Sequence, residues 1–429
     1  METAIRVLSG LVLLLPTVCG VFYLYQLLLA LIGLLKKYPR YEKAEPGSIA
    51  LLICAWNEEA VIGDLLDCIN RQDYPKDKLK TFVVADHCTD RTADLARERG
   101  AVVYEKDAGK DMGKGYALSF LMESLRLDYP EGFDGYLVID ADNLLNTNFV
   151  QKMNDAMCAG NDVVTSFRNS KNYGANWVSA GDSLWFLCGS RFINHGRAVC
   201  GLSGIAAGTG FLFSRRIAEE LEGWHYVTLT EDMEFSADMK IRGIRIGYCG
   251  EAELYDEQPE SFSQTVFQRL RWTRGYFDVM RLRSSELWKG TVRGKFSCFD
   301  FLMLVLPVAV VIPVGAVLIA VLLILGGICG AEFWTMAWHT VVFMLAHLYV
   351  DGIICGIFIV FAEWKRIRAT TGRKLLSIFT FPAFMATFIP IVIVAFFWKP
   401  KWVKIAHHGI REGAGSVFTE VLPPQVSKE

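Results

Sequence analysis

The chain has 429 residues, 52% of them hydrophobic, and a formal net charge of -2. That length exceeds one ordinary core and implies two or three structural units, while the near-neutral charge argues against a nucleic-acid binder, which would carry a large basic excess. Eleven cysteines at irregular spacings, with no C-x-x-C and no Cys/His cluster at zinc spacing, read as small buried hydrophobes in a reducing compartment rather than as a disulfide framework or a zinc site.

In chain order, the first feature is Ile5–Leu35, longer than the roughly 20 apolar residues that span a bilayer. It exceeds a signal peptide's apolar core and lacks a small-residue cleavage site, so it reads as a signal anchor in a segment 1–40. Lys36, Lys37 and Arg40 come next, and the positive-inside rule puts the adjoining domain in the cytoplasm. Three further spans are expected at Phe301–Leu325, Trp334–Phe361 and Ile378–Phe397, within a region 299–400 ahead of a polar tail 401–429. Pro307 and Pro313 are tolerable where neighbouring helices satisfy the freed carbonyls. The basic stretch Lys365–Lys374 suits the headgroup layer. Asp351 is costly in lipid unless it faces a polar path or lies near the interface. Four spans carry the C-terminus outside, yet Lys399, Lys401, Lys404 and Arg411 come after the last one. Either one apolar run is re-entrant, or orientation is set by the first helix and the large domain.

Residues 41–298 alternate between strand and helix. Ile49–Cys54 is a short apolar run, as in a parallel strand buried on both faces. Glu58–Arg71 then shows helical spacing. Strands are expected at Lys80–Ala85, Ala101–Tyr104 and Gly135–Ile139, with helices from near Asp90 and over Tyr116–Leu127. The pattern predicts an α/β fold with a doubly wound, mostly parallel sheet. Ligands in such sheets bind beyond the carboxyl ends of the strands.

Acidic groups stand after three of these strands: Glu58 in Trp56-Asn57-Glu58-Glu59, Asp86 in Asp86-His87-Cys88-Thr89-Asp90, and Asp140-Ala141-Asp142. Any one alone is an ordinary capping residue; together they outline a cleft for a cation and a polar ligand. Two carboxylates one residue apart at a strand end suit Mg²⁺ or Mn²⁺. Gly113-Lys114-Gly115 is either a turn or a lysine set near a diphosphate at a helix N-terminus. Thr230-Glu231-Asp232 precedes a helix, as a cap or as the source of a general base. In Gln268-Arg269-Leu270-Arg271-Trp272-Thr273-Arg274-Gly275, the residues Gln268, Arg271, Trp272 and Gly275 fall on one helix face. An amide, a guanidinium, an indole and a gap suit neither core nor solvent, and they suit a diphosphate and a sugar ring.

This ordered set resembles the membrane-bound family-2 glycosyltransferases, which include cellulose, chitin and poly-N-acetylglucosamine synthases and exopolysaccharide transferases. The resemblance covers about residues 45–280. It implies a GT-A-like fold flanked by one N-terminal and about three C-terminal transmembrane helices, and a multi-pass enzyme of the cell membrane. It also implies a nucleotide-sugar donor, a UDP-sugar in the first instance, and a glycan or lipid-linked acceptor in polysaccharide synthesis. By that resemblance Glu58, Asp86, Lys114, Asp140, Gln268, Arg271 and Trp272 bind the donor. Asp140 and Asp142 hold the metal, and Asp232 is the catalytic base. Gly210 of Gly208-Thr209-Gly210-Phe211, Glu231 and Trp272 meet the acceptor. The four expected spans are fewer than those framing the channel of the large processive synthases. Polymer export would then need a second copy or an accessory membrane subunit; the alternative is transfer of a single sugar to a glycolipid. A reading from a different class is a nucleotide-binding channel or transport subunit without catalysis.

Overall fold

The apolar runs pair as their composition predicts, in a computed structural model that describes residues 2–107, 111–398, 400 and 407. Ile49–Ala55 (β1), Leu79–Asp86 (β2), Val102–Lys106 (β3) and Gly135–Asp140 (β4) form the parallel half of a single sheet, in the order β3-β2-β1-β4. β1 is central, with Ile53 opposite both Val83 and Ile139. Its two faces are both covered: Leu51 and Ile53 pack with Ile62 and Leu66, while Ala50 and Leu52 pack with Leu118 and Leu121. Double-sided burial is why its sequence is an unbroken apolar run.

The other half is mixed. Phe211–Ser214 (β7) runs antiparallel to β4 and to Val163–Ser170 (β6). β6 pairs in parallel with Ile246–Asp256 (β8), and Leu144–Leu145 (β5) closes the edge antiparallel to β8. The sheet thus departs from a purely doubly wound pattern after β4. The helix expected from Glu58 starts at Ile62 instead. The Glu58 N–H donates to Thr92 Oγ1 at 2.7 Å, which ties this stretch to the β2 loop and leaves it as a turn.

Among the described residues, three stretches are long and apolar enough to cross a membrane: Phe296–Cys329, Ala331–Ala362 and Thr371–Phe397. Each encloses one of the expected spans. Side chains such as Val317, Ile324, Phe343 and Phe361 point outward, a surface that suits lipid and not water. The N-terminal helix Glu2–Leu35 has 34 residues, with apolar stretches Thr3–Leu14 and Tyr23–Leu35. Lys399, Lys401, Lys404, Arg411 and, except for His407, the expected tail 401–429 lie outside the described residues.

Two irregularities in the apolar helices are compensated by neighbours. Pro307 opens a π turn over Pro307–Val311, and lacking an N–H it cannot serve the carbonyl one turn back. Tyr23 on the N-terminal helix donates its hydroxyl to that carbonyl, Met303 O, at 2.5 Å. Thr371–Phe397 breaks at Thr387, between helices Thr371–Ala386 and Phe388–Phe397. There the buried Arg269 guanidinium donates to Phe384 O at 3.3 Å and Thr387 Oγ1 at 2.9 Å, and lies over the Phe384 ring.

A buried ionic cluster joins these helices to the sheet domain. Arg197 holds Asp300 bidentately at 2.8 and 2.7 Å, Tyr25 donates to Asp300 at 3.1 Å, and Lys240 lies 3.7 Å away. Removing one member of such a cluster leaves charges that water cannot reach. Asp300→Ala is therefore expected to destabilise the protein by about 3–5 kcal/mol, read as a lower thermal unfolding midpoint in detergent.

Candidate active site

Ten of the eleven residues singled out by sequence line one cavity of about 600 Å³: Glu58, Asp86, Lys114, Asp140, Asp142, Glu231, Asp232, Gln268, Arg271 and Trp272. Gly210 is the exception. It is buried beneath the wall, while its neighbours Gly208 and Thr209 form the lining.

Local chemistry explains how the strand ends reach the cavity. Asn57 and His87 both adopt positive φ, 56° in each case, a conformation that short polar side chains tolerate. Asn57 Oδ1 accepts from Thr89 N at 2.7 Å, which ties the loop after β1 to the loop after β2. Asp86 is held by Lys106 Nζ at 2.8 Å and His87 Nδ1 at 2.7 Å. In the loop after β4, Asn143 acts as a bracket. Its Oδ1 accepts from Thr209 Oγ1 at 2.5 Å, and its Nδ2 donates to Asp142 at 3.2 Å and Asp256 at 2.9 Å. Thr209 Oγ1 in turn accepts from Asp140 N at 2.9 Å.

Gly113-Lys114-Gly115 is more than a turn. Gly113 takes φ 132° as it caps the helix Lys114–Asp128, a conformation that glycine reaches without strain. At Gly115 a Cβ would come within 2.3 Å of Tyr226 O. Between them the Lys114 ammonium pairs with Asp140 and donates to Gly208 O at 2.5 Å, with Glu231 3.8 Å away. Burial disfavours that cation, but Asp140 and Glu231 outweigh it and hold Lys114 above the ordinary lysine range.

Thr230 is the N-cap of the helix Glu231–Arg242, but its side chain makes no capping bond. It fills the notch that Gly275 leaves on the helix Phe262–Val292, where a Cβ would come within 2.5 Å of Thr230 Oγ1. The gap on the Gln268/Arg271/Trp272 face is therefore the seat of the Thr230-Glu231-Asp232 segment. The two arginines of that motif part company. Arg271 lines the cavity, where burial lowers its pKa against the pull of Glu231, Asp140 and Asp232, whereas Arg269 serves the break at Thr387. Trp272 meets Phe186 edge to face at 5.6 Å.

Of the cavity residues that escape the sequence reading, three pair with its charged groups. Arg168 on β6 donates from Nε to Asp256 at the end of β8 at 2.9 Å, and from Nη1 to Ala207 O at 2.9 Å. Asp256 obeys the same strand-end rule as Asp86 and Asp140, but the alternating pattern assigns no strand after β4. The third is His407, with Nδ1 3.0 Å from Glu58 Oε2 and Nε2 3.7 Å from Asp142 Oδ2. Nothing in the local sequence separates it from a tail residue.

The electrostatics favour a cation near Asp142. Burial, then repulsion from Asp256, raises the Asp142 carboxyl well above its usual range. Asp256 stays low despite burial because Arg168 offsets it. Burial pushes Glu231 up to about 7, with Lys114 opposing and Asp232 adding. Burial likewise raises Asp232. Asp140 and Asp142 offer the hard oxygen donors that Mg²⁺ or Mn²⁺ prefers. Such an ion is ordinarily held by one or two carboxylates plus substrate phosphate.

Comparison with known proteins bears on the family and the fold. The model of the family described as "Glycosyltransferase like family 2" matches residues 46–275. A probable glycosyltransferase, YdaM, of Bacillus subtilis is 28% identical over 55% of this chain and 57% of its own. A beta-monoglucosyldiacylglycerol synthase of Synechocystis is 25% identical over 61% and 56%. A poly-beta-1,6-N-acetyl-D-glucosamine synthase of Staphylococcus aureus is 24% identical over 57% and 58%. The match thus spans less than two-thirds of the length of each of these relatives. Among solved structures, the mannosyltransferase PcManGT of Pyrobaculum calidifontis, in complex with GDP-Man and Mn²⁺, aligns with TM-score 0.55 at 15% identity. The alignment covers 91% of this chain and 99% of that one, which places both in the same fold.

The seat between Gly275 and Thr230 is open to a direct test. Gly275→Ala forces the two helices apart and is expected to cost about 1–3 kcal/mol. Adding Thr230→Gly, which vacates the notch and keeps an acceptable N-cap, is expected to recover most of it in a double-mutant cycle of thermal unfolding.

Proposed function

The chain belongs to the family described as glycosyltransferase like family 2, and on that premise we propose that it is an inverting transferase of the cytoplasmic membrane face. It moves a sugar from a nucleotide-sugar, a UDP-sugar in our reading, to an acceptor hydroxyl presented at the membrane. The observation that carries the proposal is the convergence of Asp232, Asp142, Lys114 and Arg271 on one cavity, from three helices and the loop after β4.

In this reading the loops after β1 and β2 hold the nucleoside, with Asp86 and Glu58 as its polar partners. Lys114 and Arg271 grip the diphosphate, and Gln268 adds an amide. Asp140 and Asp142 hold Mg²⁺ or Mn²⁺, which when bound neutralises the departing diphosphate. Asp232 accepts the proton of the acceptor hydroxyl. The freed oxygen then attacks the anomeric carbon on the face opposite the diphosphate, so an α-linked donor gives a β-linked product. Glu231, paired with Lys114, keeps the helix start in register with the diphosphate grip, and Trp272 stacks on the acceptor sugar.

Membrane placement agrees with this reading. Residue 407 stands beside Glu58 and Asp142, so the chain has returned to the catalytic side after the last apolar stretch. Three complete crossings after the domain would leave it opposite. We therefore read Thr371–Phe397, broken at Thr387, as re-entrant, which removes the conflict with the basic residues beyond it.

Release of nucleoside diphosphate from a panel of UDP- and GDP-sugars with Mn²⁺ identifies the donor. With that donor, Asp232→Asn is expected to reduce transfer by about 10²–10⁴-fold while calorimetry gives an unchanged donor affinity. Near-normal turnover in that variant would remove Asp232 as the base. Because burial raises the Asp232 carboxyl, it loses its free base form at a higher pH than an exposed aspartate. The acid limb of kcat/KM is then expected above the ordinary carboxylate range of about 4, with transfer falling as pH drops through it. A limb at the ordinary value would contradict the assignment.

A further inference from the structure

The cavity that holds the carboxylates has a second end of different chemistry. Leu304, Val308 and Ile312 of the first long apolar helix, and Met385, Phe388 and Ile389 around the break at Thr387, form its far wall. None of these side chains offers a hydrogen bond. They lie on two of the stretches long enough to cross a membrane, and Val308 and its neighbours belong to the π turn that opens at Pro307. Trp272, Phe186 and Trp185 also line the cavity, and the Arg168 guanidinium lies over the Phe186 ring at 3.5 Å. Phe186 meets Trp272 at 5.6 Å, and Trp185 meets Phe388 at 5.6 Å.

We infer that the acceptor is a membrane lipid with a free hydroxyl on its headgroup, taken with the headgroup at Asp232 and the acyl or alkyl tail along the Leu304–Ile312 and Met385–Ile389 wall. The inference rests on the transfer reaction proposed above and names its substrate class. Three features argue for a lipid and against a glycan chain on this wall. A polysaccharide carries hydroxyls on every residue, and along an apolar wall they would lose water without gaining partners. A hydrocarbon tail loses nothing there, and each buried methylene adds favourable transfer energy. The wall also belongs to helices that face the bilayer, so a tail can enter sideways without crossing water. The aromatic girdle falls where a headgroup would meet its tail, the place amphipathic rings occupy at a membrane surface. In the reaction, the headgroup oxygen forms a bond to the anomeric carbon and the bond from that carbon to the diphosphate oxygen breaks. The hydroxyl proton goes to Asp232, and the diphosphate leaves on the nucleoside.

The test uses the full chain in phosphatidylcholine vesicles, which contain no free hydroxyl acceptor, with the donor selected by the panel. Methyl, hexyl and dodecyl glucoside serve as acceptors, with a soluble cello-oligosaccharide beside them. In the wild type kcat/KM is expected to rise with tail length, by up to about fourfold per buried methylene. Longer tails also concentrate in the vesicle, so the decisive reading is the dodecyl-to-methyl ratio in Val308→Trp and, separately, in Ile389→Trp. Partitioning is the same for every variant, and a ratio within one variant cancels any loss of folded enzyme. We expect that ratio to fall at least about tenfold in both, the equivalent of two methylenes. A ratio that stays at the wild-type value in both variants, or equal or better use of the cello-oligosaccharide, overturns the lipid assignment while leaving the transfer reaction standing. Absence of nucleoside diphosphate release from the wild type with every donor overturns the transfer reading, and this one with it.

Discussion

The structure depends on how it keeps a crowd of carboxylates in one partly dry cleft. Asp86, Asp140, Asp142 and Asp256 come from strand ends, and Glu231 and Asp232 from a helix start. Mutual repulsion at such range in a weakly screened site would drive them to protonate or drive the loops apart. Fixed cations prevent this: Lys106 holds Asp86, Lys114 holds Asp140, and Arg168 holds Asp256. Asp142 is less closely compensated than these three, its ion-pair partner being the more distant His407, and in the reading proposed above that is where the metal is held.

A similar sharing of partners joins the cleft to the apolar helices. The helix Phe262–Val292 has three distinct contacts along its length. Thr265 bonds Asp182 at 2.6 Å, Arg269 satisfies the break at Thr387, and Gly275 seats Thr230. A shift of this helix is felt at once by the cavity and by the last apolar stretch. Further along the chain, Asp300 gathers Arg197, Lys240 and Tyr25, so the N-terminal helix, the helix carrying Asp232 and the first long apolar helix are pinned at a single point. Buried charge of this kind adds little net stability but penalises any other packing of the same elements.

Much of this is legible in the sequence because its signals are local. An unbroken apolar run such as Ile49–Cys54 marks a strand covered on both faces, and the polar residues at its carboxyl end must then face the ligand side. The spacing of Gln268, Arg271 and Trp272 announces a surface that neither core nor solvent explains, whereas the glycines flanking Lys114 read equally as a turn. The hidden part depends on long-range pairing. Asp256 and Arg168 come from the mixed half of the sheet, where the β6–β8 pairing shifts register after Ser166, and no periodicity reveals that. The meaning of Gly275 appears only once Thr230 is seen in its notch, and Gly210 lies behind the wall that its neighbours line. The start of the helix at Ile62 escapes the sequence because a hydrogen bond from the β2 loop, not propensity, decides it.

His407 carries one further consequence. Its partner Glu58 precedes it by 349 residues, with strands β2 to β8 and the long apolar stretches from Phe296 to Phe397 in between. A ribosome releasing this chain in order produces nearly all of the described cleft first and His407 only after the last apolar stretch has been synthesised. The cleft is thus completed from beyond the last apolar stretch. A product terminated ahead of His407 would carry the family's motifs in full and still lack one of the side chains that line the cavity.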